Sequence, residues 1–267
     1  MHSFLLARGW HWRRIGVRSV QPAAFPKRSV LMAGGRPCAD QGPPLSTYLL
    51  FKFAMPSLLF DSIIFDLDGT LWDASVAITQ AFQAAKNSVA YITNDVTLAQ
   101  VQAVTGQPYE VVYERLFPHL PADKLHEFRA LCAYQELEAA RQQGGTLYPA
   151  LEATLGYLAG RGYRLFIVSN CQAGYVEAFF EHSRLGHFFE GHQCFGTKKL
   201  PKSENIREVV ARYGLQAPVY VGDTPGDLAA SQAADVPFIF ATYGFGQLTA
   251  TEAPVRIDQL TDLQLML

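Results

Sequence analysis

The sequence predicts an α/β protein, in which a doubly wound and mostly parallel sheet is interrupted by an inserted all-helical domain. Short apolar runs alternate with helical patterns from residue 150 to residue 241, and such alternation is typical of parallel strands joined by helices. Another apolar run, 62–65, lies far upstream, and no strand signal occurs between residues 75 and 143. The 267 residues are 49% hydrophobic, which is enough for a core and a small second domain.

The first apolar run, 62–65, is followed directly by helical spacing of apolar residues. A capping box over Thr97–Gln100 predicts the start of a second, short helix, and Gly106 predicts its end. Gly144 and Gly145 end the last helix of this part. The predicted helices are Ser75–Tyr91, one that opens at Thr97, Tyr109–Phe117 and Ala122–Gln143.

From Ala150 onward strands and helices alternate. The predicted elements are a helix at 150–161, a strand at 165–169, a helix at 174–182, a strand at 192–195, a helix at 203–213, a strand at 219–221, a helix at 227–234 and a strand at 238–241. We therefore expect an α/β core at 55–73 and 147–267, and a helical domain at 74–146 inserted after the first strand. The hinges between them would be Leu71–Ser75 and Gly144–Pro149.

Residues 1–54 do not resemble the rest of the chain, and we expect a basic, disordered extension there. They carry eight Lys or Arg against one acid, a charge of +7, while the whole chain carries −2. The segment fits three interpretations: an organelle transit peptide, a basic tail for an anionic surface, or sequence upstream of a true start at Met55. The third is our preferred expectation.

Charge and cysteine usage narrow the classes of partner and compartment. The remaining residues carry −9, which argues against nucleic acid as the main partner. The four cysteines show neither metal spacing nor a disulfide framework, so they favour a reducing compartment. The longest apolar candidate for a membrane span, 48–60, is short and contains Lys52 and Pro56. We expect a cytoplasmic monomer or homodimer, with organelle import if residues 1–54 are a genuine transit peptide.

Two acids, Asp66 and Asp68, follow the first apolar strand directly. Gly69 relaxes the backbone restriction at the bend, so both carboxylates can reach one pocket. Burial of such a pair without a partner would be costly, and oxygen ligands suit Mg²⁺. The pair therefore predicts a cation site at this strand end.

Polar groups also follow two later strands. Ser169 and Asn170 end the strand at 165–169, and Asp223 and Asp227 follow the strand at 219–221. Lys202 directly precedes a predicted helix. Because carboxyl ends of parallel strands form the ligand crevice of an open α/β sheet, we expect these groups to meet there.

These motifs resemble, in order, the four motifs of the haloacid dehalogenase superfamily: DLDGT at 66–70, Ser169, Lys202 and GDTPGD at 222–227. The resemblance covers about residues 58 to 247. The helical insertion after the first strand resembles the helical cap of one subgroup. The stretches SNCQAGY at 169–175 and ATYGFG at 241–246 resemble phosphoglycolate phosphatases and their relatives.

The resemblance implies a phosphoryl-transfer site. Asp66 is the candidate nucleophile, because a carboxylate can form an aspartyl-phosphate, and Asp68 the candidate general acid and base. Lys202 would oppose the charge of the phosphoryl group. By resemblance, Mg²⁺ would be held by Asp66, Asp68 (through its carbonyl), Asp223 and Asp227 (through water), and phosphate by Ser169, Asn170 and Thr70.

Several assignments have rivals. Lys198 and Lys199 lie close to Lys202 in the chain, but only Lys202 directly precedes the helix. Cys171 raises the idea of a thiol nucleophile, although a small semi-buried thiol is the simpler interpretation. Trp72, at a hinge, and Gln107, in a loop of the helical domain, are candidates for the substrate pocket, with packing and capping as the alternatives.

Asp68 indicates the branch of chemistry, since dehalogenation needs no acid there whereas an ester oxygen leaves more easily when protonated. The expected activity is Mg²⁺-dependent hydrolysis of a small phosphorylated metabolite through an aspartyl-phosphate. One alternative is a phosphosugar mutase, which shares the core residues. Another is a non-catalytic phospho-receiver or binding protein, which would carry its phosphorylated Asp after a later strand.

Overall fold

The computed structural model describes residues 60–267. The predictions for residues 1–54 and for a start at Met55 lie outside the described residues. In the range 60–267, no helix is both long enough and apolar enough to cross a membrane.

A six-stranded parallel sheet forms the centre of the α/β core, in the order β5-β4-β1-β6-β7-β8. Its strands are β1 (Ser62–Phe65), β4 (Arg164–Ser169), β5 (Phe189–Cys194), β6 (Pro218–Gly222), β7 (Phe238–Ala241) and β8 (Arg256–Ile257). The first strand in the chain therefore lies between β4 and β6, where the strand order reverses. This reversal produces a crevice at the carboxyl ends of the strands.

Helices cover both faces of the sheet, as doubly wound folds require. Along β1, Ile63 and Phe65 contribute to one apolar cluster, and Ile64 between them contributes to the cluster on the other face. All three are fully buried. The helices of this part are α5 (Leu151–Gly160), α6 (Tyr175–Ser183), α7 (Phe195–Lys198), α8 (Lys202–Tyr213), α9 (Pro225–Ala233) and α10 (Leu263–Met266), with 3₁₀ turns at Gly186–Phe188 and Leu260–Asp262.

Four helices follow β1 before the parallel pattern resumes, and we call them the helical block. They are α1 (Ser75–Asn87), α2 (Leu98–Val104), α3 (Tyr109–Leu116) and α4 (Ala122–Gln142). The block has its own aromatic cluster, in which the rings of Phe117 and Phe128 lie 4.8 Å apart, centre to centre. The capping box predicted at Thr97 and Gln100 is present at the start of α2. The exact domain boundaries stay predictions.

The two predicted hinges pair with each other, which the sequence did not indicate. Trp72–Asp73 (β2) and Thr146–Leu147 (β3) form a two-stranded antiparallel ribbon, and the Tyr148 amide donates to the Leu71 carbonyl just beyond it. Strands of two residues are too short to show alternation. The ribbon joins the two chain crossings between the α/β core and the helical block.

Two boundaries differ from the sequence prediction by three residues or more. The first helix ends at Asn87 instead of Tyr91, because Ser88 caps it by donating its hydroxyl to the Ala85 carbonyl. The strand predicted at 192–195 is Phe189–Cys194, since β5 pairs with β4 over that whole range with a register shift at one end. The prediction also missed β8.

Candidate active site

The polar groups that end β1, β4 and β6 meet at one edge of the sheet. Parallel pairing in register aligns Phe65 with Ile167 and Val221, so Asp66 comes directly beside the ends of both neighbouring strands. Asp66 is 1% exposed. The structure thus brings together residues that lie far apart in the chain.

Lys202, the first residue of α8, reaches this edge from a different direction. Its Nζ lies 2.8 Å from Asp66 Oδ1 and 2.6 Å from Asp227 Oδ1. Burial by itself lowers the pKa of this ammonium group, but the two carboxylates outweigh it and raise the pKa, so Lys202 stays charged. The rival Lys198 instead pairs with Glu208 near the surface. Lys199 lies over the Phe195 ring.

Three carboxylates face this single ammonium. Asp66, Asp223 and Asp227 each offer an oxygen within 4.8 Å of the others, and all three are buried. Burial and the neighbouring carboxylates raise the pKa of Asp66 well above its usual value, and raise that of Asp223 to about 7. An excess of buried negative charge with only oxygen donors fits a hard divalent cation. The cluster could therefore bind a metal.

Asp227 is already occupied by protein donors. Its Oδ1 accepts from Lys202, while its Oδ2 accepts from the Thr224 amide and hydroxyl in the capping box of α9. Three donors leave little room for a direct metal bond. The geometry favours the water-mediated role that the family resemblance implies.

Asp223 is held by two donors and by close backbone approach. It accepts from Thr70 Oγ1 at 3.1 Å and from the Phe245 amide at 2.8 Å. Gly69, at φ +89°, and Gly244 both pass so close that a Cβ on either would collide with its carboxylate. Thr70 was predicted to bind phosphate, but its hydroxyl points at Asp223 and it does not line the cavity. Lys202 does not line the cavity either, so this placement does not decide the matter, and the phosphate-binding role of Thr70 stays a prediction.

Asp68 lies two residues beyond Asp66 and is part-buried at the cavity wall. Its Oδ1 accepts from Trp72 Nε1 at 2.9 Å and from the Tyr175 hydroxyl at 3.0 Å. Among the described residues none donates to Oδ2, which leaves that oxygen available. Burial raises the pKa of Asp68 to about 6, although the two donors oppose the rise.

Trp72 was predicted to line the substrate pocket, and the structure contradicts this. Its ring is fully buried and packs edge-on against Tyr175 and Phe179, with centroids 5.8 and 5.0 Å away. The indole is thus absent from the cavity lining. It contacts the site only through its hydrogen bond to Asp68.

Ser169, Asn170 and Gln107 do line the cavity. Ser169 Oγ accepts from the Cys171 amide at 3.3 Å, and its own proton goes to no other described residue. Asn170 Nδ2 donates to the Gly106 carbonyl at 3.0 Å, which ties the α/β core to the helical block. Burial raises the pKa of the Cys171 thiol well above its usual value, so it is unsuited to act as a thiolate nucleophile.

Opposite the acid pair, the helical block supplies a polar wall that sequence reasoning missed. Glu136 of α4 lines the cavity and is 8% exposed. It accepts from the Tyr113 hydroxyl at 2.8 Å and from Gln172 Nε2 at 3.0 Å. A single Glu within a charged helix normally marks a solvated face, so no local signal distinguished it.

Comparison with known proteins agrees with this fold and cluster. Residues 63–241 match the family described as haloacid dehalogenase-like hydrolase. A phosphoglycolate phosphatase of Aliivibrio fischeri is 31% identical over 194 residues, which cover 68% of this chain and 84% of that protein. The probable phosphatase IndB of Dickeya dadantii is 28% identical over 75% of this chain and 90% of its own length.

Solved structures agree on the fold. A predicted phosphoglycolate phosphatase from Haemophilus somnus aligns with a TM-score of 0.69 at 22% identity, over 79% of this chain and 99% of that one. CbbY from Rhodobacter sphaeroides, solved with phosphate, aligns with a TM-score of 0.63 at 17% identity, over 76% of this chain and 96% of its own.

The fold and the buried acid cluster define an α/β hydrolytic enzyme with its site at the carboxyl edge of a parallel sheet. The chain belongs to the haloacid dehalogenase-like hydrolase family, and within it to the phosphatases.

Proposed function

We propose that the protein hydrolyses small phosphomonoesters in a Mg²⁺-dependent reaction, through an aspartyl-phosphate on Asp66. The observation that carries the proposal is the contact of Asp66 with Lys202, beside a second acid, Asp68, in the same cavity. A nucleophile, a counter-charge and a proton donor are the groups that phosphoryl transfer needs.

In the first half-reaction a carboxylate oxygen of Asp66 attacks phosphorus while the bond from phosphorus to the ester oxygen breaks. Asp68 gives its proton to the leaving oxygen, and its Oδ2 is the oxygen that no described residue occupies. Lys202 and the Ser169 hydroxyl stabilise the charge on the phosphoryl oxygens. The products of this step are the free alcohol and the aspartyl-phosphate.

In the second half-reaction Asp68, now ionised, takes a proton from water as that water attacks phosphorus. The bond from phosphorus to the Asp66 oxygen breaks, which releases inorganic phosphate and restores both acids. Mg²⁺ held by Asp66 and Asp223, by the Asp68 carbonyl and through water by Asp227, would neutralise phosphoryl charge.

Closure by the helical block supports a small substrate. The Gly106 carbonyl accepts from Asn170, and a Cβ on Gly106 would lie 2.7 Å from Thr224 Cγ2, so this loop lies directly on the α/β core. A loop in this position limits the access of bulk water to the reacting groups. The names of the relatives, which include phosphoglycolate phosphatases, agree with small phosphorylated metabolites as the substrate class.

The test is release of inorganic phosphate from a panel of phosphomonoesters by wild type and by Asp66→Asn. Asp61→Asn is the matched control, because Asp61 lies at the opposite end of the same strand. We expect the Asp66 variant to lose activity by at least about 10³-fold and the control to keep it. Chelation should abolish wild-type activity and Mg²⁺ should restore it.

Full activity in Asp66→Asn would overturn the mechanism. Formation of an isomeric sugar phosphate without net phosphate release would point to the mutase alternative. A persistent aspartyl-phosphate that water does not cleave would point to the receiver alternative. An oligomeric state of monomer or homodimer, and a cytoplasmic location, stay predictions.

A further inference from the structure

Glu136 lines the cavity, and each of its carboxylate oxygens accepts from one donor. Tyr113 donates to Oε1 and Gln172 donates to Oε2. Each oxygen of a carboxylate can accept a second hydrogen bond. Glu136 is therefore fixed in place yet keeps acceptor capacity for a ligand in the cavity.

Three polar side chains next to Glu136, namely Tyr113, Tyr109 and Gln172, can only accept from a ligand, as a count of their protons shows. The one hydroxyl proton of Tyr113 goes to Glu136, so the Tyr113 oxygen accepts from the Tyr109 hydroxyl at 3.0 Å. That bond uses the only proton of Tyr109. The two amide protons of Gln172 go to Glu136 and to the Ala133 carbonyl. None of these side chains has a proton left for a ligand.

Among residues 60–267, no lysine or arginine lines the cavity. Two basic side chains lie on this side but outside the lining. The Arg129 guanidinium lies 5.3 Å from the centre of the Tyr113 ring and 3.7 Å from Glu110. Lys199 lies 5.9 Å from the centre of the Tyr109 ring. The donors that do line the cavity, such as the Gln107 amide, are uncharged, so no described cation of the lining would neutralise a second anionic group of a substrate.

A substrate whose non-phosphate end is a carboxylate would bring a second negative charge towards Glu136 in a water-poor cavity, and such juxtaposition costs affinity. A hydroxyl or ammonium group would instead donate to the free acceptor positions. The wall is therefore poorly suited to a substrate that bears a carboxylate. The name of the Aliivibrio fischeri relative indicates such a substrate for that protein.

We propose that Glu136 is a specificity-determining residue, which selects phosphate esters whose leaving alcohol carries a hydrogen-bond donor and disfavours those that carry a carboxylate. This inference rests on the proposed phosphatase function and adds the substrate class to it. The donor can be a neutral hydroxyl, as in polyol phosphates, or an ammonium, as in amino-alcohol phosphates.

The test compares esters that differ only at that end of the molecule, at pH 8, which is above the pKa of Glu136, a value that burial raises to about 7. One pair is 2-phosphoglycolate and 2-hydroxyethyl phosphate, and a longer pair is 3-phosphoglycerate and glycerol 3-phosphate. O-phosphoethanolamine separates the ammonium from the hydroxyl, and p-nitrophenyl phosphate serves as a reference with neither group. The variants are Glu136→Gln and the control Glu138→Gln, on the same helix near the surface.

We expect wild-type kcat/KM to favour the hydroxyl member by at least about tenfold in one or both pairs. Glu136→Gln should narrow that ratio to within about threefold, chiefly by raising kcat/KM for the carboxylate ester, since the like charge is gone. Glu138→Gln should keep the wild-type ratio. If Glu136→Gln loses more kcat/KM on O-phosphoethanolamine than on 2-hydroxyethyl phosphate, the ammonium is the preferred donor.

The inference would be overturned if the wild type preferred the carboxylate members and Glu136→Gln lowered kcat/KM equally for every ester. The phosphatase function would be left intact. An unchanged ratio in Glu136→Gln would overturn it as well, because a structural role alone would not select among leaving groups. Failure to cleave any ester, p-nitrophenyl phosphate included, would overturn the proposed function itself.

Discussion

Two buried carboxylates face each other across the cavity, one on the wall of the α/β core and one on the wall of the helical block. Asp68 receives both of its donors, Trp72 and Tyr175, on the same oxygen. Glu136 receives its two donors, Tyr113 and Gln172, on different oxygens. The chemistry of the donors is nearly the same, whereas their distribution differs.

We interpret this difference as one between a group placed to transfer a proton and one placed to orient a substrate. With Oδ1 doubly occupied, Asp68 keeps a bare oxygen on which a proton can sit and from which it can leave. Glu136 has no such bare oxygen, and its fixed orientation suits recognition. In our proposal the wall of the α/β core carries out the chemistry and the wall of the helical block selects the substrate.

The largest expected loss of activity comes from Lys202→Met, which removes the positive charge from the wall of the α/β core, here called the core wall. Two buried carboxylates, Asp66 and Asp227, would lose their common cation. We expect kcat to fall about 10²- to 10³-fold. Breaking a buried pair in this way should also lower the free energy of unfolding by about 3 kcal/mol, as measured by urea denaturation.

Lys198→Met is the matched control for Lys202→Met, because its ion pair with Glu208 lies near the surface and its side chain is 52% exposed. Its expected cost is below about 1 kcal/mol, with kcat unchanged. Equal effects of the two substitutions would mean that the core wall does not depend on the buried ammonium.

A smaller effect is expected from Tyr175→Phe, which removes one of the two donors on Asp68. The donor favours the ionised carboxylate, so its loss should raise the pKa of Asp68 above about 6. Since the proposed acid acts in its protonated form, kcat falls as pH rises through this pKa. The variant should therefore show that fall at higher pH, with kcat lowered about tenfold on an alkyl ester.

An alkyl ester is needed for the Tyr175→Phe measurement because a nitrophenolate leaves without a proton. A pH profile that superimposes on the wild-type profile would contradict the role of Asp68 as the acid. Unfolding curves would show whether the buried ring keeps its packing against Trp72.

The smallest effect is expected from Tyr113→Phe, the equivalent change on the wall of the helical block. It removes a single donor from Glu136 and leaves the acid pair untouched. We expect the hydroxyl-to-carboxylate ratio in kcat/KM to change by about two- to fivefold, because Glu136 loses orientation but keeps its charge. The pH profile of kcat should stay at the wild-type position. A shift of that profile would mean that the two walls do not act independently.

The core wall could be predicted from sequence because its groups follow directly from strand ends. Once Asp66 and Asp223 are assigned to the ends of parallel strands, the sheet brings them to one edge, and the capping pattern at Asp227 is local. The match of residues 63–241 to the family model confirms the resemblance on which the assignment was based.

The wall of the helical block could not be predicted in the same way. Glu136 lies in the middle of a 21-residue helix, and its burial depends on Gln172, which is 36 residues away in the chain. Trp72 was placed near the right site but with the wrong contact, because sequence spacing does not tell which side of a loop a side chain faces. The ribbon of β2 and β3 was missed because two residues show no period.

The position of β1 between β4 and β6 also bears on how the chain folds. Its site partners are far away along the chain, with 136 residues between Asp66 and Lys202 and 153 between Thr70 and Asp223. Contacts between residues so far apart in the chain form late, since the entropic cost of closing large loops must first be overcome. The helical block, by contrast, is a single stretch of chain, since its four helices all lie between Ser75 and Gln142. Recovery of activity on refolding would therefore lag behind recovery of helix, and would report assembly of the sheet.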